Sequence, residues 1–307
     1  MLRFIVIRVM QAIIALLGIM IIVFFLVRAS GDPMDLLANP NMTEEQYNAV
    51  KARLGLDKSY AEQFWIYLKD MAHFDLGESL VTERPVTTLL GESLPNTLKM
   101  TIPGFVIGMV LAFILGIMAS TYRDSFWDQG VKFLAVLGQA LPGFWVAIMA
   151  MLIFSVRLQW LPVAGMATPA HYVLPVGTMV FFMLPGMMRL VRSSMLDVLD
   201  SEYVKLARIK GLPESLVIWK HTLRNALITP LTTLGMLLPM LVMGAVISEI
   251  IFNWPGMGVL AVNATFSRDF PIVQAVTLIT ALLVLGANLI VDILYAYVDP
   301  QIRYQRM

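Results

Sequence analysis

The sequence predicts an all-α polytopic membrane protein with six transmembrane helices, and three observations predict it. The 307 residues are 58% hydrophobic and only 14% charged, with a mean hydropathy of +0.76. Six apolar runs are each long enough to cross a bilayer, and the basic residues between them concentrate in alternate connections. A soluble domain of this length needs more polar surface to cover one core, so lipid is the simpler solvent. Composition also excludes several functions. The formal net charge of +1 gives no sign of a nucleic-acid partner. With no cysteine, disulfides, iron–sulfur clusters and thiol nucleophiles are excluded together. His73, His171 and His221 lie far apart and make no metal-ligand spacing, so a metal site would need carboxylates from several segments.

The first apolar run, Val9–Val27, follows Arg3 and Arg8 and is closed by Arg28. It resembles a signal peptide at first sight. No A-x-A-like cleavage site follows, however, and its length matches the roughly 20 helical residues that a hydrocarbon core requires. It reads as a retained helix. The next segment, 28–97, differs in composition and holds eleven of the twenty-one acidic residues. Thr43-x-x-Gln46 and Ser59-x-x-Glu62 have the form of capping boxes. After the second, Phe64, Trp65, Leu68 and Met71 recur at helical spacing. The segment is expected to be a small external helical cap; a loosely ordered loop is the alternative.

Five further runs follow: Met100–Ser120, Phe133–Val156, Tyr172–Met188, Ala226–Ser248 and Ile272–Tyr297. Backbone groups inside lipid can only be satisfied internally, so these runs must be helices. Pro142, Pro185 and Pro239 are expected to break otherwise continuous spans. Such breaks either line a cavity or kink a packed bundle. The 22 methionines read first as ordinary apolar filling, and otherwise as an adaptable lining.

Two acids lie at membrane level. Glu249 sits at the external end of the fifth run, where it can cap a helix or line the outer mouth. Asp292 follows Asn288 by four residues, on the same helix face and near the cytoplasmic end. An intramembrane acid is a functional candidate by default. Structural pairing is the favoured reading for both, with direct substrate contact as the alternative, because neither has the partner that a proton relay requires.

Orientation follows from Lys and Arg. One side receives Arg3 and Arg8, then Arg123 and Lys132, then seven basic residues between Arg189 and Arg224, and finally Arg303 and Arg306. The two short loops on the other side carry only Arg157 and Arg268. The positive-inside rule therefore puts both termini in the cytoplasm; a long translocated segment such as 28–97 barely counts in it.

The stretch from Arg189 to Asn225 reads RLVRSSMLDVLDSEYVKLARIKGLPESLVIWKHTLRN. Apolar residues from Leu190 to Leu206 prolong the fourth span as one amphipathic helix. Gly211 suits a left-handed C′ position, and Pro213 and Glu214 suit the first turn of a second helix. The result is a helix–turn–helix at the membrane surface. It is too polar for lipid and too apolar for water, so one face is expected to meet a protein.

This stretch resembles the cytoplasmic "EAA" loop of the permease subunits of binding-protein-dependent ABC importers, in particular the dipeptide/oligopeptide/nickel group. The matching positions are Glu202, Tyr203, Val204, Ala207, Arg208, Lys210, Gly211 and Leu212, then His221, Leu223, Arg224, Asn225 and Ala226. Of the letters E-A-A only Ala207 survives, a departure that is itself similar to the peptide group. The resemblance runs along the chain. It takes in Gly31-Asp32-Pro33, Leu54-Gly55-Leu56-Asp57, Asp75-Leu76-Gly77-Glu78-Ser79, Trp254-Pro255-Gly256-Met257-Gly258, Arg268-Asp269-Phe270-Pro271 and Asp299-Pro300, in that order.

The resemblance implies a type I ABC importer permease fold in a bacterial inner membrane. Residues 1–27 would hold the N-terminal cytoplasmic end and first helix, and 28–97 the external segment. Residues 98–297 would form the permease core with its coupling loop at 189–225, and 298–307 a cytoplasmic tail. It implies a second permease subunit, two ABC ATPase subunits and an extracytoplasmic substrate-binding protein as partners, besides the lipid bilayer. ATP and Mg would be held by the ATPases, leaving no cofactor in this chain. Glu202, Tyr203, Ala207, Arg208, Lys210, Gly211 and Leu212 become the expected ATPase-docking and coupling residues. Glu249, Trp254 and Asp292 are the candidates for pathway or gate.

The chain's own chemistry agrees with a subunit that lacks a nucleotide site. No G-x-x-x-x-G-K-[ST] occurs. Gly256-x-Gly258-x-x-Ala261 fits a dinucleotide fingerprint, but it follows Asn253-Trp254-Pro255 rather than a strand of a βαβ unit. An ion-coupled secondary transporter would need an intramembrane ion or proton site, and a membrane enzyme a convergent nucleophile or acid cluster. The cargo stays open between di- or oligopeptides and nickel or a metal chelate.

Overall fold

The computed structural model describes residues 2–32, 34, 42–243 and 245–298. Pro33, Asp299-Pro300, Arg303, Arg306 and the tail beyond Val298 lie outside the described residues. Helix α1 (Leu2–Ala29) is apolar nearly all round, and Ile14, Ile22 and Leu26 on it are exposed, as a lipid-facing helix requires. One strip is covered: Met20 and Phe24 pack with Tyr67 and Leu278.

The segment that follows is helical where the capping boxes predict. Thr43 and Gln46 start α2 (Glu44–Arg53), and Ser59 and Glu62 start α3 (Tyr60–Ala72), each pair exchanging the two reciprocal bonds. Phe64, Leu68 and Met71 of α3 turn to the α1 strip, whereas Trp65 faces out. The Arg28 guanidinium fixes the angle, lying 3.4 Å from the Phe24 ring centroid and donating to Gln63 Oε1 at 2.9 Å.

Helix α4 (Val86–Thr121) begins fourteen residues before the apolar run and keeps Pro95 and Pro103 within it. The third run is not one helix. It divides at Leu141-Pro142 into α5 (Phe126–Ala140) and α6 (Gly143–Ala150), the latter continued by a π-wound turn over Met151–Arg157, with a bend of 101°. Pro142 has no N–H to continue the ladder, so the break falls there. Pro185 was expected to do the same and does not: α7 (Ala170–Leu199) passes through it unbroken. Gly138 of α5 lies against the Pro185 ring, where any Cβ would collide with it, so a neighbouring helix packs onto the site.

Helices α4 and α7 make the most extensive helix pair among the described residues. Gly104, Gly108 and Gly116 on α4 face Met179, Val180 and Val191 on α7, and the missing side chains let the backbones approach. Met109, Met183, Met187, Met188 and Met195 belong to the core cluster formed there, so these methionines are filling.

Beyond α7 the chain forms α8 (Glu202–Ile209), α9 (Glu214–Leu216), a π-wound turn Val217–Thr222 and α10 (Leu223–Ala226). The expected single amphipathic helix from Leu190 to Gly211 is interrupted at Asp200-Ser201, where Ser201 takes an extended backbone. The fifth run is likewise divided, into α11 (Ile228–Leu237), α12 (Met240–Met243) and α13 (Val246–Ile251), with one break at Leu238-Pro239. Helices α14 (Met257–Phe266) and α15 (Phe270–Val298) complete the described residues.

Among the described residues four helices are long and apolar enough to cross a membrane, or five if the bent α5–α6 pair counts as one. No β-strand occurs among them, only an isolated bridge between Glu78 and Pro85.

Candidate functional site

The elbow between α8 and α9 is built by one glycine. Gly211 has φ +76°, a conformation that costs other residues about 1–2 kcal/mol. Its N–H bonds to Arg208 O at 2.9 Å and that of Leu212 to Ala207 O at 3.4 Å, the paired closure of a Schellman motif. Pro213 then fixes an extended N-cap for α9. Across the turn, Arg208 grips Glu214 with both ends of its fork, Nη2 to Oε1 at 2.6 Å and Nε to Oε2 at 3.2 Å. The hydrogen bond to Arg208 holds the Glu214 carboxyl below its ordinary range, and Glu214 raises Arg208 in return. Both therefore stay charged at neutral pH.

The elbow has two faces. Leu199, Val204, Ala207 and Val217 are buried together, with Leu212 packed against them. Ala207, placed with the docking residues by resemblance, is thus part of the inner packing. Facing outward are Tyr203, Leu206, Ile209 and Trp219, with Ile209 81% exposed. Glu202, Lys205, Lys210 and Gly211 are exposed on the same unit, Lys205 paired with Glu202 at 2.8 Å. Asn225 donates to the Tyr203 hydroxyl at 3.2 Å and ties the far end of the loop to α8. Ile209 and Trp219 were missed from sequence. Their signal was an apolar side chain on the polar side of an otherwise amphipathic stretch.

At the other end, Glu249 and Trp254 are brought together, and both are fully buried. One Glu249 oxygen accepts the Thr97 hydroxyl, and the other accepts the N–H of Gly258 at 2.6 Å and of Val259 at 3.1 Å. These are first-turn amides of α14, so the acid caps that helix and satisfies donors with no partner in their own helix. Thr97 Oγ1 also accepts the Met257 N–H at 2.8 Å. Gly256 and Gly258 leave the space that the carboxylate fills; a Cβ at either would overlap it. Trp254 Nε1 donates to Asn96 O at 2.8 Å, and the ring meets Tyr172 edge-on at 4.6 Å between centroids. The WPGMG segment is therefore clasped onto α4, and its glycines serve that clasp rather than a phosphate.

Asp292 lies apart from this group and pairs with Arg8 at 2.9 Å, joining α15 to α1. A further acid escaped the sequence reading. Asp128 is fully buried, with Arg192 at 2.6 and 3.0 Å, Lys132 at 2.8 Å and the Asp124 N–H at 3.0 Å. It locks α5 to α7 just before the elbow.

Comparison with known proteins gives a consistent picture. Residues 112–304 match the family described as "Binding-protein-dependent transport system inner membrane component", and residues 1–101 match its N-terminal membrane component. A putative peptide transport system permease protein of Brucella abortus is 38% identical over 306 residues, covering 97% of this chain and 98% of its own. The oligopeptide transport system permease protein AppB of Bacillus subtilis is 36% identical over 316 residues, covering 99% and 100%. The glutathione transport system permease protein GsiC of Pectobacterium atrosepticum is 38% identical over 306 residues, covering 99% and 100%. Among solved structures, that of an amino acid ABC transporter with histidines shares the fold, with TM-score 0.56 and 15% identity over 69% of this chain and 94% of that one.

Proposed function

The chain belongs to the family of binding-protein-dependent transport system inner membrane components, and on that premise we propose how it works in its complex. It is a multi-pass inner-membrane permease subunit of an ABC importer. The cargo on this reading is a di- or oligopeptide or a similar small solute delivered by a binding protein. The names of the relatives, two for peptides and one for glutathione, itself a short peptide, support it.

Six crossings follow if α1, α4, the bent α5–α6 pair, α7, the broken run over 223–251 and α15 each count once. The basic-residue asymmetry supports cytoplasmic termini, an external segment at 28–97, a core at 98–297 and a cytoplasmic tail at 298–307. A second permease completes the pathway, and two separate ATPases hold ATP and Mg. Glu249 and Trp254 brace the outer end as a clasp, and Asp292 braces α15 against α1.

The observation that carries the mechanism is the Gly211 elbow. It is rigid within, through the Schellman closure, the Arg208–Glu214 fork and the buried Val204–Val217 contact, and apolar without, through Ile209 and Trp219. A rigid knob with an uncovered apolar face can pass on the motion of a docked ATPase. Nucleotide and loaded binding protein then drive the spans by binding one conformation better than the other. Proteoliposomes holding the complete transporter test this. Labelled dipeptide should enter only with ATP and binding protein, and uptake should survive an uncoupler. Uptake that follows the proton gradient without ATP would favour an ion-coupled transporter instead.

A further inference from the structure

Helix α3 belongs to no apolar run, yet its rings pack below the polar end of one. Arg28 closes the first run, and its guanidinium donates to Gln63 Oε1 of α3 at 2.9 Å. Phe24 and Phe25 precede Arg28 by four and three residues, which places them about 5–6 Å nearer the membrane centre along α1. Phe64 meets both, edge-on to Phe24 at 5.0 Å and stacked on Phe25 at 6.2 Å between centroids. Tyr67 lies 5.6 Å from Phe24. The inner side of α3 therefore sits at the depth of the last apolar turn of α1.

Phe25 is outside the covered strip of α1. It is exposed together with Ile22 and Leu26, on the side that faces lipid. Phe64 stacks on that ring, so α3 borders the lipid-facing side directly. Going round α3 from its buried strip, the next stripe is Ala61, Trp65, Leu68 and Ala72, at spacings of four, three and four. The stripe is apolar throughout, with Trp65 70% exposed and Leu68 half-buried. Beyond it come Lys69 and Glu62, both exposed. An apolar stripe with a charged edge, on a helix at the end of a span, is the pattern of a helix lying in a membrane interface. Tryptophan suits that layer, because its ring is apolar and its N–H is polar. Lys69 follows Trp65 by one turn, where its stem can lie along apolar surface while the ammonium stays among headgroups.

Resting on the external placement of residues 28–97, we infer that α3 is an interfacial helix seated in the outer leaflet. Phospholipid is the partner of its Ala61–Trp65–Leu68–Ala72 stripe, and Trp65 stands at the boundary of acyl chains and headgroups. A soluble binding protein does not fit this position, because the stripe borders Phe25 inside the level of Arg28. Phospholipid fits it, being the solvent of the adjoining Ile22, Phe25 and Leu26. Seated this way, α3 holds the external segment against the bilayer at one depth.

Spin labels test the placement, because a chain without cysteine leaves each introduced thiol as the single attachment point. Trp65→Cys, Ala72→Cys and Ile66→Cys are labelled separately in the complete transporter in proteoliposomes, and ATP-driven dipeptide uptake confirms that each is folded. Collision with oxygen, which concentrates in lipid, is compared with collision with a water-soluble nickel chelate. Trp65→Cys and Ala72→Cys should favour oxygen, at a depth of about 5–10 Å into the headgroup and acyl boundary. Ile66→Cys, 100° round the helix and away from the stripe, should favour the chelate. Ala72→Cys removes no ring, so it carries the test if Trp65→Cys fails to assemble. A stripe that favours the chelate faces water, and labels that neither reagent reaches are covered by protein; either result would overturn the inference. Labels at lipid depth beside a reporter in residues 40–90 that reads cytoplasmic would overturn the external placement, and the outer leaflet with it. Failure of the unsubstituted complex to import any dipeptide with ATP would overturn the permease reading, a result separate from the depth at Ala72→Cys.

Discussion

The Glu249 carboxylate accepts the Gly258 backbone N–H at 2.6 Å, so an acid at the end of one broken span starts the next helix. Its second oxygen holds Thr97, which in turn holds the Met257 N–H. Three segments thus meet on one buried acid. Removing the Thr97 hydroxyl as Thr97→Val leaves the Met257 N–H without its acceptor and should cost about 1–3 kcal/mol. Thermal unfolding of the purified complex should show this loss, with the range of imported peptides unchanged. An altered peptide preference at unaltered stability would return Glu249 to the pathway.

Asp128 and Arg192 make the corresponding lock at the elbow end. Breaking a buried ion pair costs roughly 3–5 kcal/mol, and Asp128→Ala should fall at the low end, because Arg192 and Lys132 keep some access to solvent. Arg192→Lys should cost less, retaining charge but losing the two-pronged grip on Asp128. The check is denaturant unfolding of the three proteins side by side; equal stability of all three would mean the lock contributes nothing.

Much of this architecture is legible in the sequence, and the failures have physical causes. Helices α1, α4, α7 and α15 each contain one of the apolar runs, because lipid demands continuous internal hydrogen bonding. The third and fifth runs divide where Pro142 and Pro239 were expected to break them, but hydropathy averages over a missing N–H and gives no sign that the turn at Pro142 is as sharp as 101°. Pro185 shows the reverse: the helix runs on through it, with the ring packed on Gly138, a neighbour in space on another helix that the local sequence does not announce. Capping boxes were readable because both partners lie within one turn. The Asp128–Arg192 pair spans 64 positions and leaves no local trace. At the elbow, Gly211 and Pro213 announce the turn, but the inward side of Ala207 and the outward side of Ile209 emerge only once α8 packs on Val217.

Topology has its own test. Reporter fusions within residues 40–90 and after Arg306 should report opposite sides of the membrane, the outcome that the distribution of Lys and Arg predicts. Both reporters on one side would overturn the six-crossing arrangement.

The central claim is that the elbow transmits ATPase motion and takes no part in holding cargo. Gly211 is the place to test it, because no side chain crowds the position and only its backbone angle is demanding. Gly211→Val should strain the turn by about 1–2 kcal/mol or more, while Gly211→Asn, which tolerates left-handed backbone, should largely restore it. The decisive measurement is ATP-driven dipeptide uptake by the reconstituted complex, read beside a crosslink from an Ile209→Cys thiol to the ATPase. Gly211→Val should insert normally yet lose both uptake and crosslink, with Gly211→Asn close to the unsubstituted protein. Normal uptake and an undiminished crosslink in Gly211→Val would contradict the account.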